Sequence, residues 1–375
     1  MKKRILILTA SIGSGHIKAA EAVAGEIRRQ APEVELITVD FMSRETSFLH
    51  WLMKKAYLMM LALVPNLYDL CYKFSGGESG GNVAQGAFAH VMLPVLRRLL
   101  ERYQPDLALC THPFPEGCCS ILKKEMAKRG EKLPLAVVMT DYSLHQIWLC
   151  PEVDAYFMAT EAMKQELGRR GISAPVMEAV GIPVDTGLDS LPDRKTLREK
   201  LGLLELPTVL LMGGGLGLGG LDDTLEELES LPDRLQLLVI AGRNDKLKAR
   251  IQDRAADSHH VIKVWGYTDE AHLLMKVSDL LITKPGALTI SEAFVLGLPM
   301  LLHDPIPGPE TENAVYATRH GAAVWLHPGE HLAPAVAELL SGDLKAMGER
   351  GRACAHPRAA TEIAARVLKL LSEAR

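Results

Sequence analysis

The stretch Leu280-Leu-Ile-Thr-Lys-Pro-Gly-Ala-Leu-Thr-Ile-Ser-Glu-Ala293 joins a short apolar run to a helical pattern through a proline and a glycine. Such a run is typical of a buried parallel strand, and the turn residues mark its end. The helix that follows would present the amides of Gly286, Ala287, Leu288 and Thr289 at its N-terminus, where phosphates bind. The stretch therefore predicts a strand, a phosphate-binding turn and a helix.

The same alternation of apolar runs and helical segments continues in both directions along the chain. Strands are predicted at Arg4–Ala10, Val34–Phe41, Leu107–Thr111, Leu135–Thr140 and Ala155–Thr160, and again at Thr208–Met212, Leu235–Ala241, Val261–Val264, Leu280–Thr283 and Met300–His303. Strand, crossover helix and strand repeated in this way form a doubly wound parallel sheet. The sequence predicts an α/β protein with two facing Rossmann-like domains and a ligand in the cleft between them.

The domain limits follow from where this pattern stops and restarts. A chain of 375 residues exceeds what one hydrophobic core usually supports. We predict an N-terminal domain at 1–182, a C-terminal domain at 183–357 and a terminal helix at 358–375. The helix follows from apolar residues at helical spacing, which do not indicate where it packs.

Composition excludes several classes of protein. The chain is 48 % hydrophobic and 23 % charged, as expected of a globular protein. Its net charge of −4 makes nucleic acid an unexpected partner. The six cysteines show no metal-type spacing, so we expect reduced, cytoplasmic thiols. The apolar run after the basic N-terminus is short and leads into a glycine turn, which predicts a first strand and not a signal peptide.

A glycine turn, Ile12-Gly-Ser-Gly-His16, follows the first predicted strand. With Asp40 as a ribose ligand it would suit a dinucleotide, but Lys18 stands where the third glycine of that motif belongs. A neutral His16 at the start of the next helix could accept a proton from a hydroxyl group. Alternatively, His16 caps the helix or binds an anion.

A second glycine-rich turn, Gly213-Gly-Gly-Leu-Gly-Leu-Gly-Gly220, follows the strand at Thr208–Met212. It suits a loop that wraps a diphosphate, or it is a plain flexible turn. Farther along, Glu292 would oppose a phosphate electrostatically, so we expect it to accept the hydroxyls of a ribose. Alternatively, Glu292 is an ordinary residue near a helix N-terminus.

One segment, Thr46–Cys71, is strongly apolar but too short to span a bilayer. The aromatic and basic residues in and directly after it are typical of a helix that lies at a membrane surface. Those residues are Trp51, Tyr57, Tyr68, Tyr72, Lys54, Lys55 and Lys73. The alternative is a helix buried in the first domain's core.

Five motifs together resemble one family of enzymes. They are GSGHIKAA from Gly13, VMTDYSLHQIW from Val138, AGRND, VWGYTDE, and ITKPGALTISEAFVLGLPMLLHDPIPGPETEN. The chain resembles the monogalactosyldiacylglycerol synthases and bacterial diacylglycerol glucosyltransferases of glycosyltransferase family 28 over nearly its whole length. The resemblance implies the GT-B fold, shared with the undecaprenyl-linked N-acetylglucosaminyltransferase of peptidoglycan synthesis.

The resemblance implies that the second domain binds a UDP-sugar. The implied donor residues are Gly213, Gly214, Gly215, Gly242, Arg243, Asn244, Tyr267, Gly286, Ala287, Leu288, Thr289, Glu292, Glu310 and Asn313. Tyr267 would lie at the uracil, and Glu310 and Asn313 near the sugar. The run Pro307-Gly-Pro-Glu-Thr-Glu-Asn313 lacks the glutamine and glycine that many relatives carry there, so the sugar stays open among glucose, galactose and N-acetylglucosamine.

The resemblance also implies that the first domain binds the acceptor. His16 matches the family's base, and Asp141 and His145 match its Thr-Asp cluster. Gly13, Gly15, His145 and Trp148 would contact the acceptor, and Asp141 would orient His16 or act as the base itself. Because the chain contains no Asp-x-Asp pair, we expect no metal and no cofactor.

The expected reaction is direct displacement with inversion, moving a hexose from a UDP-sugar to diacylglycerol or a glycolipid. We expect a cytoplasmic enzyme bound peripherally to an anionic membrane surface, the inner face of the cell membrane. The alternatives are a polyprenyl-linked or soluble acceptor, or a nucleotide-sugar sensor without activity.

Overall fold

The protein, in a computed structural model, is described over residues 2–63, 78–213 and 220–373. It forms two compact units. The first comprises Met1–Thr186, Pro307–Pro309 and His356–Arg375, and the second comprises Gly187–Ile306 and Glu310–Ala355. The roles predicted for the two domains, acceptor binding and donor binding, stay predictions.

Strands and helices alternate throughout the described residues. The strands are β1 (Arg4–Thr9), β2 (Glu35–Asp40), β3 (Leu107–Cys110), β4 (Leu135–Val138), β5 (Ala155–Met158), β6 (Val176–Ala179), β7 (Thr208–Met212), β8 (Gln236–Ile240), β9 (Val261–Trp265), β10 (Leu280–Thr283), β11 (Met300–Leu302) and β12 (Ala323–Trp325). The helices are α1 (Gly15–Gln30), α2 (Phe48–Leu63), α3 (Glu78–Tyr103), α4 (Pro113–Ala127), α5 (Glu161–Arg169), α6 (Arg194–Lys200), α7 (Leu221–Leu228), α8 (Asp245–Asp257), α9 (Ala271–Val277), α10 (Ala287–Leu296), α11 (Pro309–Arg319), α12 (Leu332–Ser341), α13 (Leu344–Ala353) and α14 (Ala359–Glu373). Short 3-10 helices lie at Gln146–Trp148 and Leu188–Ser190.

The first unit contains a parallel sheet with the strand order β2-β1-β3-β4-β5-β6. Ile5 of β1 pairs with Leu36 of β2 on one side and with Leu107 of β3 on the other. The chain thus moves outward from β1 in one direction and then in the opposite one. Open parallel sheets bind ligands outside the carboxyl ends of their strands at such a reversal. The residues that follow β1 and β3 therefore lie where a ligand is expected.

Helices α1 and α14 pack together against one face of this sheet. The buried residues of this cluster include Ile5, Ile7, Leu107 and Leu109 from strands, Ala20, Val23 and Ile27 from α1, and Ile363, Ala364, Val367 and Leu371 from α14. Fully burying a side chain of this size stabilises the fold by roughly 1.5 to 3 kcal/mol relative to its exposure. The C-terminal helix is therefore part of the first unit's core.

The second unit contains a parallel sheet with the order β12-β11-β10-β7-β8-β9. Its order reverses between β7 and β10, whose residues Leu210 and Leu281 pair. Helices α7, α8 and α12 pack on one face. The cluster includes Val209, Leu211, Leu237 and Val239 from strands, Leu221 and Leu225 from α7, Leu247 and Ile251 from α8, and Leu332 and Val336 from α12.

The predicted fold class, α/β with two doubly wound parallel sheets, is confirmed. All ten predicted strands are present, with ends that agree within two residues. The sequence analysis missed β6 and β12, which lie at the edges of the two sheets. Edge strands have a neighbour on one side alone, so they need not be continuously apolar, and their short sequences lack that signal.

A buried carboxylate connects α1, α14 and Thr186. The Glu26 side chain accepts hydrogen bonds from Thr361 Oγ1 and Thr186 Oγ1, each at 3.0 Å, and from Arg29 Nε at 3.1 Å. These bonds, that from Arg29 foremost, lower the pKa of Glu26 to about 2. The charged carboxylate therefore helps to hold α14 on the first unit.

We predict that Glu26→Gln lowers the free energy of unfolding at pH 7 by about 2 kcal/mol, because the hydrogen bonds lose their charged acceptor. The folded-state pKa of Glu26 lies below its ordinary value of 4.5. Its stabilisation is therefore complete above that value and is lost as the pH falls towards the folded pKa. Urea denaturation at pH 7 and at about pH 3.5 should show that the difference between wild type and variant shrinks in acid.

The matched control is Glu21→Gln, since Glu21 is an exposed residue of α1 that pairs with Lys18 at 3.1 Å. Exposed pairs of this kind contribute little to stability. Equal unfolding free energies for the Glu26 and Glu21 variants would contradict the structural role of Glu26.

Candidate active site

The loop after β1 is held by the carboxylate of Asp40. Its Oδ1 accepts hydrogen bonds from the backbone N–H groups of Ser11 and Met42, each at 3.0 Å. Gly13 has a φ of 82°, a backbone conformation that side chains with a Cβ rarely adopt. Asp40, which the dinucleotide alternative used as a ribose ligand, thus fixes the turn that leads to His16.

His16 lies in the first turn of α1, and its Nδ1 contacts two oxygens. The backbone oxygen of Thr111 lies 2.9 Å away and Oγ1 of Thr140 lies 2.7 Å away. A carbonyl oxygen can only accept a hydrogen bond, so Nδ1 carries the hydrogen and the lone pair lies on Nε2. This tautomer leaves Nε2 as the atom that can accept a proton.

Two titratable groups face the His16 ring. Burial lowers the pKa of His16, while the negative charge of Asp141 and the bond to Thr111 partly oppose this effect. The ring of His112 contacts that of His16 edge-on, with 4.5 Å between their centroids. Burial, with a smaller effect of His16, holds the pKa of His112 well below its usual value. Both rings are therefore neutral near pH 7, and the Asp141 carboxylate makes His16 more basic.

The predicted acceptor residues that follow β4 are held in a loop. His145 caps the 3-10 helix by accepting a hydrogen bond from Ile147 N–H at 3.3 Å. Trp148 is 3 % exposed, and its backbone oxygen lies 3.0 Å from the Tyr156 hydroxyl. The structure therefore places the Trp148 side chain in the interior of the first unit. The contacts of His145 and Trp148 with an acceptor, like those of Gly13 and Gly15, stay predictions.

A buried carboxyl group supports the same loop. Glu116 is fully buried, and its Oε1 lies 2.8 Å from the hydroxyl of Tyr156. Burial raises the pKa of Glu116 well above its ordinary value. The Tyr156 hydroxyl also accepts a hydrogen bond from Cys150 N–H at 2.9 Å. This buried network fixes the chain between Asp141 and β5.

Helix α2 covers the described part of the apolar segment, while residues 64–71 of that segment, Tyr72, Lys73 and the side chain of Tyr57 lie outside the described residues. His50 is fully buried, and its Nδ1 lies 2.8 Å from the backbone oxygen of Phe41. Phe48 and Met59 are each 61 % exposed, and Leu49 and Leu52 are each 49 % exposed. One side of α2 is thus anchored in the unit while large apolar side chains face outward.

One lysine of α2 contacts the loop after β1, and another contacts a tryptophan of the same helix. Nζ of Lys54 donates a hydrogen bond to Oγ of Ser11 at 2.6 Å, in the loop that leads to His16. Nζ of Lys55 lies 5.8 Å from the ring centroid of Trp51. Among the described residues, no helix has both the length and the apolar character needed to cross a membrane.

In the second unit, α10 begins at the carboxyl end of β10, as predicted. Gly286 precedes the helix and has no side chain that could bond to its first amide groups. The amides of Ala287, Leu288 and Thr289 lack partners within the helix, as at any helix N-terminus, and they form a positive site. No acidic residue lies in the first turn of α10. This end of the helix is therefore electrostatically suited to an anion.

Residues after β8 and β9 meet at the same edge of the sheet. Gly242 has a φ of 62°, and the guanidinium of Arg243 lies 4.7 Å from the ring centroid of Tyr267. Tyr267 is 48 % exposed. Oδ1 of Asn244 accepts a hydrogen bond from Leu247 N–H at 3.0 Å, so Asn244 caps α8. The structure brings Arg243 and Tyr267 into a stacked pair, and it gives Asn244 a structural role.

The remaining predicted donor residues lie near the start of α10 and in α11. Asn313 is 1 % exposed, and its Nδ2 donates to the backbone oxygen of Pro285 at 3.3 Å. Oε2 of Glu310 accepts a hydrogen bond from Ile306 N–H at 2.7 Å. Glu292 is partly exposed on α10. Gly213 follows β7 within the described residues, whereas the predictions for Gly214 and Gly215 fall outside them.

Several residues at these two edges were not predicted. Thr111 and His112 follow β3, Thr140 follows β4, and all three surround His16. The sequence could have indicated these three residues, because each is a polar residue at the end of an apolar run that predicts a strand. In the second unit, Asp304 follows β11 with a φ of 43°, and its Oδ2 lies 3.1 Å from Nδ1 of His303. A non-glycine residue in this conformation is uncommon and is not visible from sequence.

Glu229, His259 and His260 lie close enough together to suggest a metal site. However, His260 Nδ1 accepts a hydrogen bond from Leu235 N–H at 3.1 Å, and its Nε2 lies 2.8 Å from the Leu228 backbone oxygen. Both ring nitrogens are thus engaged by the protein, and His260 is not free to bind a metal. The cluster instead bonds to backbone groups that follow α7.

Comparison of the sequence with known proteins finds related glycosyltransferases. Residues 16–184 match the family described as monogalactosyldiacylglycerol (MGDG) synthase, and residues 208–363 match the glycosyltransferase family 28 C-terminal domain. A processive diacylglycerol beta-glucosyltransferase of Bacillus cereus (strain B4264) is 31 % identical over 344 residues, which cover 91 % of this chain and 87 % of the relative. The protein of the same name from Bacillus cytotoxicus is also 31 % identical, with the same coverage of both chains.

Solved structures share the fold at low sequence identity. Acinetobacter baumannii MurG has a TM-score of 0.62 and 16 % identity, covering 98 % of this chain and all of its own. The UDP-GlcNAc 2-epimerase from Neisseria meningitidis has a TM-score of 0.58 and 16 % identity, with the same coverage. These likenesses establish the fold, and because an epimerase is among them they do not define the reaction.

We predict that Asp141→Asn lowers the pKa of His16, because the carboxylate charge raises it in the wild type. Histidine titration by NMR in the two proteins measures the shift. The exposed Glu161→Gln on α5 removes an equal charge elsewhere in the same unit and should leave His16 unchanged. An Asp141 variant whose His16 titrates at the wild-type pH would contradict the electrostatic role of Asp141.

Proposed function

Because the chain belongs to the monogalactosyldiacylglycerol synthase family of glycosyltransferases, we propose that it transfers a hexose from a UDP-sugar to diacylglycerol. Relatives that are 31 % identical over 91 % of the chain are named for this acceptor. The observation that carries the mechanism is the fixed tautomer of His16, with Nδ1 bonded at the sheet edge and the lone pair on Nε2.

In the proposed reaction, His16 acts as the general base. Nε2 removes the proton of the acceptor hydroxyl as its oxygen attacks the anomeric carbon of the donor. Partial burial keeps the ring neutral, and the nearby Asp141 charge stabilises the imidazolium that forms. We infer that Asp141 assists the base electrostatically, which agrees with its smaller, charge-based effect on the pKa of His16.

The second unit is proposed to hold the UDP-sugar. The amides of Ala287, Leu288 and Thr289 would bind the diphosphate and stabilise the negative charge of the leaving UDP. The N–H of Gly286 donates to the backbone oxygen of Lys284 at 2.8 Å, so Gly286 would contribute by letting the diphosphate approach the backbone closely. Asn313 supports this role because its bond to the Pro285 oxygen holds the turn before α10. Glu292 would accept the ribose hydroxyls, one turn farther along the helix.

The nucleotide base is proposed to bind near Arg243 and Tyr267. The exposed Tyr267 ring and the guanidinium stacked on it offer flat surfaces of the kind on which a uracil stacks. Gly242, Asn244 and Gly213 would shape the surrounding backbone, with Gly214 and Gly215 along the second glycine turn. Glu310 would lie near the sugar, because its bond to Ile306 N–H fixes the turn before α11.

A single direct displacement would invert the configuration of the anomeric carbon. Helix and loop amides are proposed to carry the charge of the diphosphate, with no metal and no cofactor. UDP-glucose, UDP-galactose and UDP-N-acetylglucosamine are therefore tested as donors without adding a divalent ion.

The outward side of α2 is proposed to place the enzyme on the membrane that contains its acceptor. Phe48, Leu49 and Leu52 are exposed together near the start of the helix, with Arg44 and Lys55 beside Trp51. Apolar side chains bordered by cations favour the headgroup region of an anionic bilayer. We propose peripheral attachment to the inner face of the cell membrane.

We predict that His16→Ala reduces kcat by about 10² to 10⁴-fold, since it removes the general base. Purified protein is incubated with diacylglycerol vesicles and each of the three UDP-sugars, and both UDP and glycolipid are measured. Glycolipid should form with one donor and fall with the variant. The exposed His90→Ala, on α3 of the same unit, is the matched control and should retain activity.

UDP release without glycolipid would indicate a polyprenyl-linked or soluble acceptor instead. No turnover with any of the donors would favour a nucleotide-sugar sensor. Full activity of the His16 variant would exclude His16 as the base.

We also predict that Phe48→Gln combined with Leu52→Gln weakens binding to vesicles containing anionic lipid by about tenfold or more, because two exposed apolar side chains no longer enter the lipid. Vesicle sedimentation measures the binding. Leu204→Gln is the control, since Leu204 is equally exposed at 48 % but lies in the second unit. Equal loss in both proteins would show that α2 has no special part in attachment.

A further inference from the structure

We propose that Thr140 is a positioning residue for the base. Its hydroxyl, with the backbone oxygen of Thr111, holds the His16 ring in the Nδ1–H tautomer and stabilises the imidazolium that forms when Nε2 takes a proton. This inference rests on the proposed function, because it concerns the base of that reaction.

The two oxygens come from neighbouring strands of the first sheet. Thr111 directly follows β3 and Thr140 follows β4, and these strands pair in parallel with Cys110 opposite Val137. The oxygens lie 2.9 Å and 2.7 Å from Nδ1, and Thr140 is buried. A buried sheet edge moves little, so both acceptors are pre-organised around one N–H group.

The hydroxyl and the carboxylate at this site act differently. Asp141 was predicted to orient His16 or to act as the base itself, and the structure places Oγ1 of Thr140 2.7 Å from Nδ1. A carboxylate in that position would hold a charged ring as an ion pair before the substrate arrives. A neutral hydroxyl leaves the ring neutral in the resting enzyme and still accepts a stronger bond from the imidazolium. Asp141 and His112 are the titratable groups that act on the charge of the ring in the resting enzyme. Thr140 orients the ring and bonds the imidazolium as it forms.

Thr140 is proposed to stabilise the positive charge that develops on the His16 ring during the reaction. The acceptor hydroxyl gives its proton to Nε2, and its oxygen forms the new bond to the anomeric carbon. The bond between that carbon and the UDP oxygen breaks, and its electron pair leaves with UDP. Nδ1 keeps its hydrogen throughout, so the bonds to Thr111 and Thr140 strengthen as the positive charge develops.

Thr140→Val removes the hydroxyl with little change of shape. In the assay with diacylglycerol vesicles and the active UDP-sugar, we expect kcat to fall about tenfold or more, because a hydrogen bond to a developing charge is lost. The KM for the UDP-sugar should stay within about twofold, since this bond strengthens only as the reaction proceeds. The acid limb of the pH profile of kcat/KM should move to lower pH, because the imidazolium is less stable.

Two further variants separate position from bulk. Thr140→Ser retains a hydroxyl and should recover most of the activity. Thr9→Val makes the same substitution at the end of β1, where the buried Thr9 Oγ1 has no hydrogen-bond partner among the described residues. It should therefore retain wild-type kcat and pH profile.

A spectroscopic readout tests the proposal even where a variant folds poorly. Nitrogen-15 NMR of the wild-type histidine rings should show a protonated Nδ1 and an unprotonated Nε2 for His16 at neutral pH. The opposite tautomer would overturn the proposal. So would a folded Thr140→Val protein with wild-type kcat and acid limb while His16→Ala is inactive, and that result would leave the proposed function intact. If His16→Ala were itself fully active, the proposed base would fail together with this inference.

Discussion

Parallel pairing of strands is the constraint on which the rest of the molecule depends. Each strand pair in the two described sheets is parallel, so no two neighbours can be joined by a tight turn. The connection must cross a face of the sheet, which covers it with helices and requires apolar strands. Parallel pairing also brings the carboxyl ends of the strands and the N-termini of the following helices to the same edge of the sheet. His16, Thr111 and Thr140 meet for this reason, although 124 positions separate the first from the last.

The sequence predicted the central elements better than the peripheral ones. Leu280–Thr283 lies in the middle of a parallel sheet, where both faces are buried, so it is apolar throughout and its composition indicates a strand. Val176–Ala179 has one neighbour and includes a glutamate, so its pattern does not differ from that of a loop. The packing of α14 was unpredictable for another reason, since helical spacing indicates an apolar face but not what covers it.

The sequence also predicted single residues of the candidate site better than their contacts. Motif spacing pointed to His16, and its place in the first turn of α1 gives that residue its contacts. The sequence analysis named Asp141 as a site residue but missed its neighbour Thr140. The contact between Thr140 and Nδ1 of His16 depends on how the ends of two strands lie side by side, which the sequence does not show. Trp148 was named from its motif, yet its ring is buried, because exposure is decided by packing that a motif does not record. For α2, the two alternatives from sequence each describe one side of the helix, with His50 buried and Phe48 exposed.

The position of α14 in the sequence also affects the order in which the two units can fold during synthesis. During synthesis the strands of the first unit precede the second unit, but the helix that completes their core is made after the residues of the entire second unit. Until then α1 and its sheet expose an apolar surface in the nascent chain, and Glu26 lacks the hydroxyl of Thr361. The second unit, whose residues are nearly contiguous, can fold before the first is finished. The first unit thus completes its core only after the residues of the second unit have been synthesised, although its own strands precede that unit in the chain.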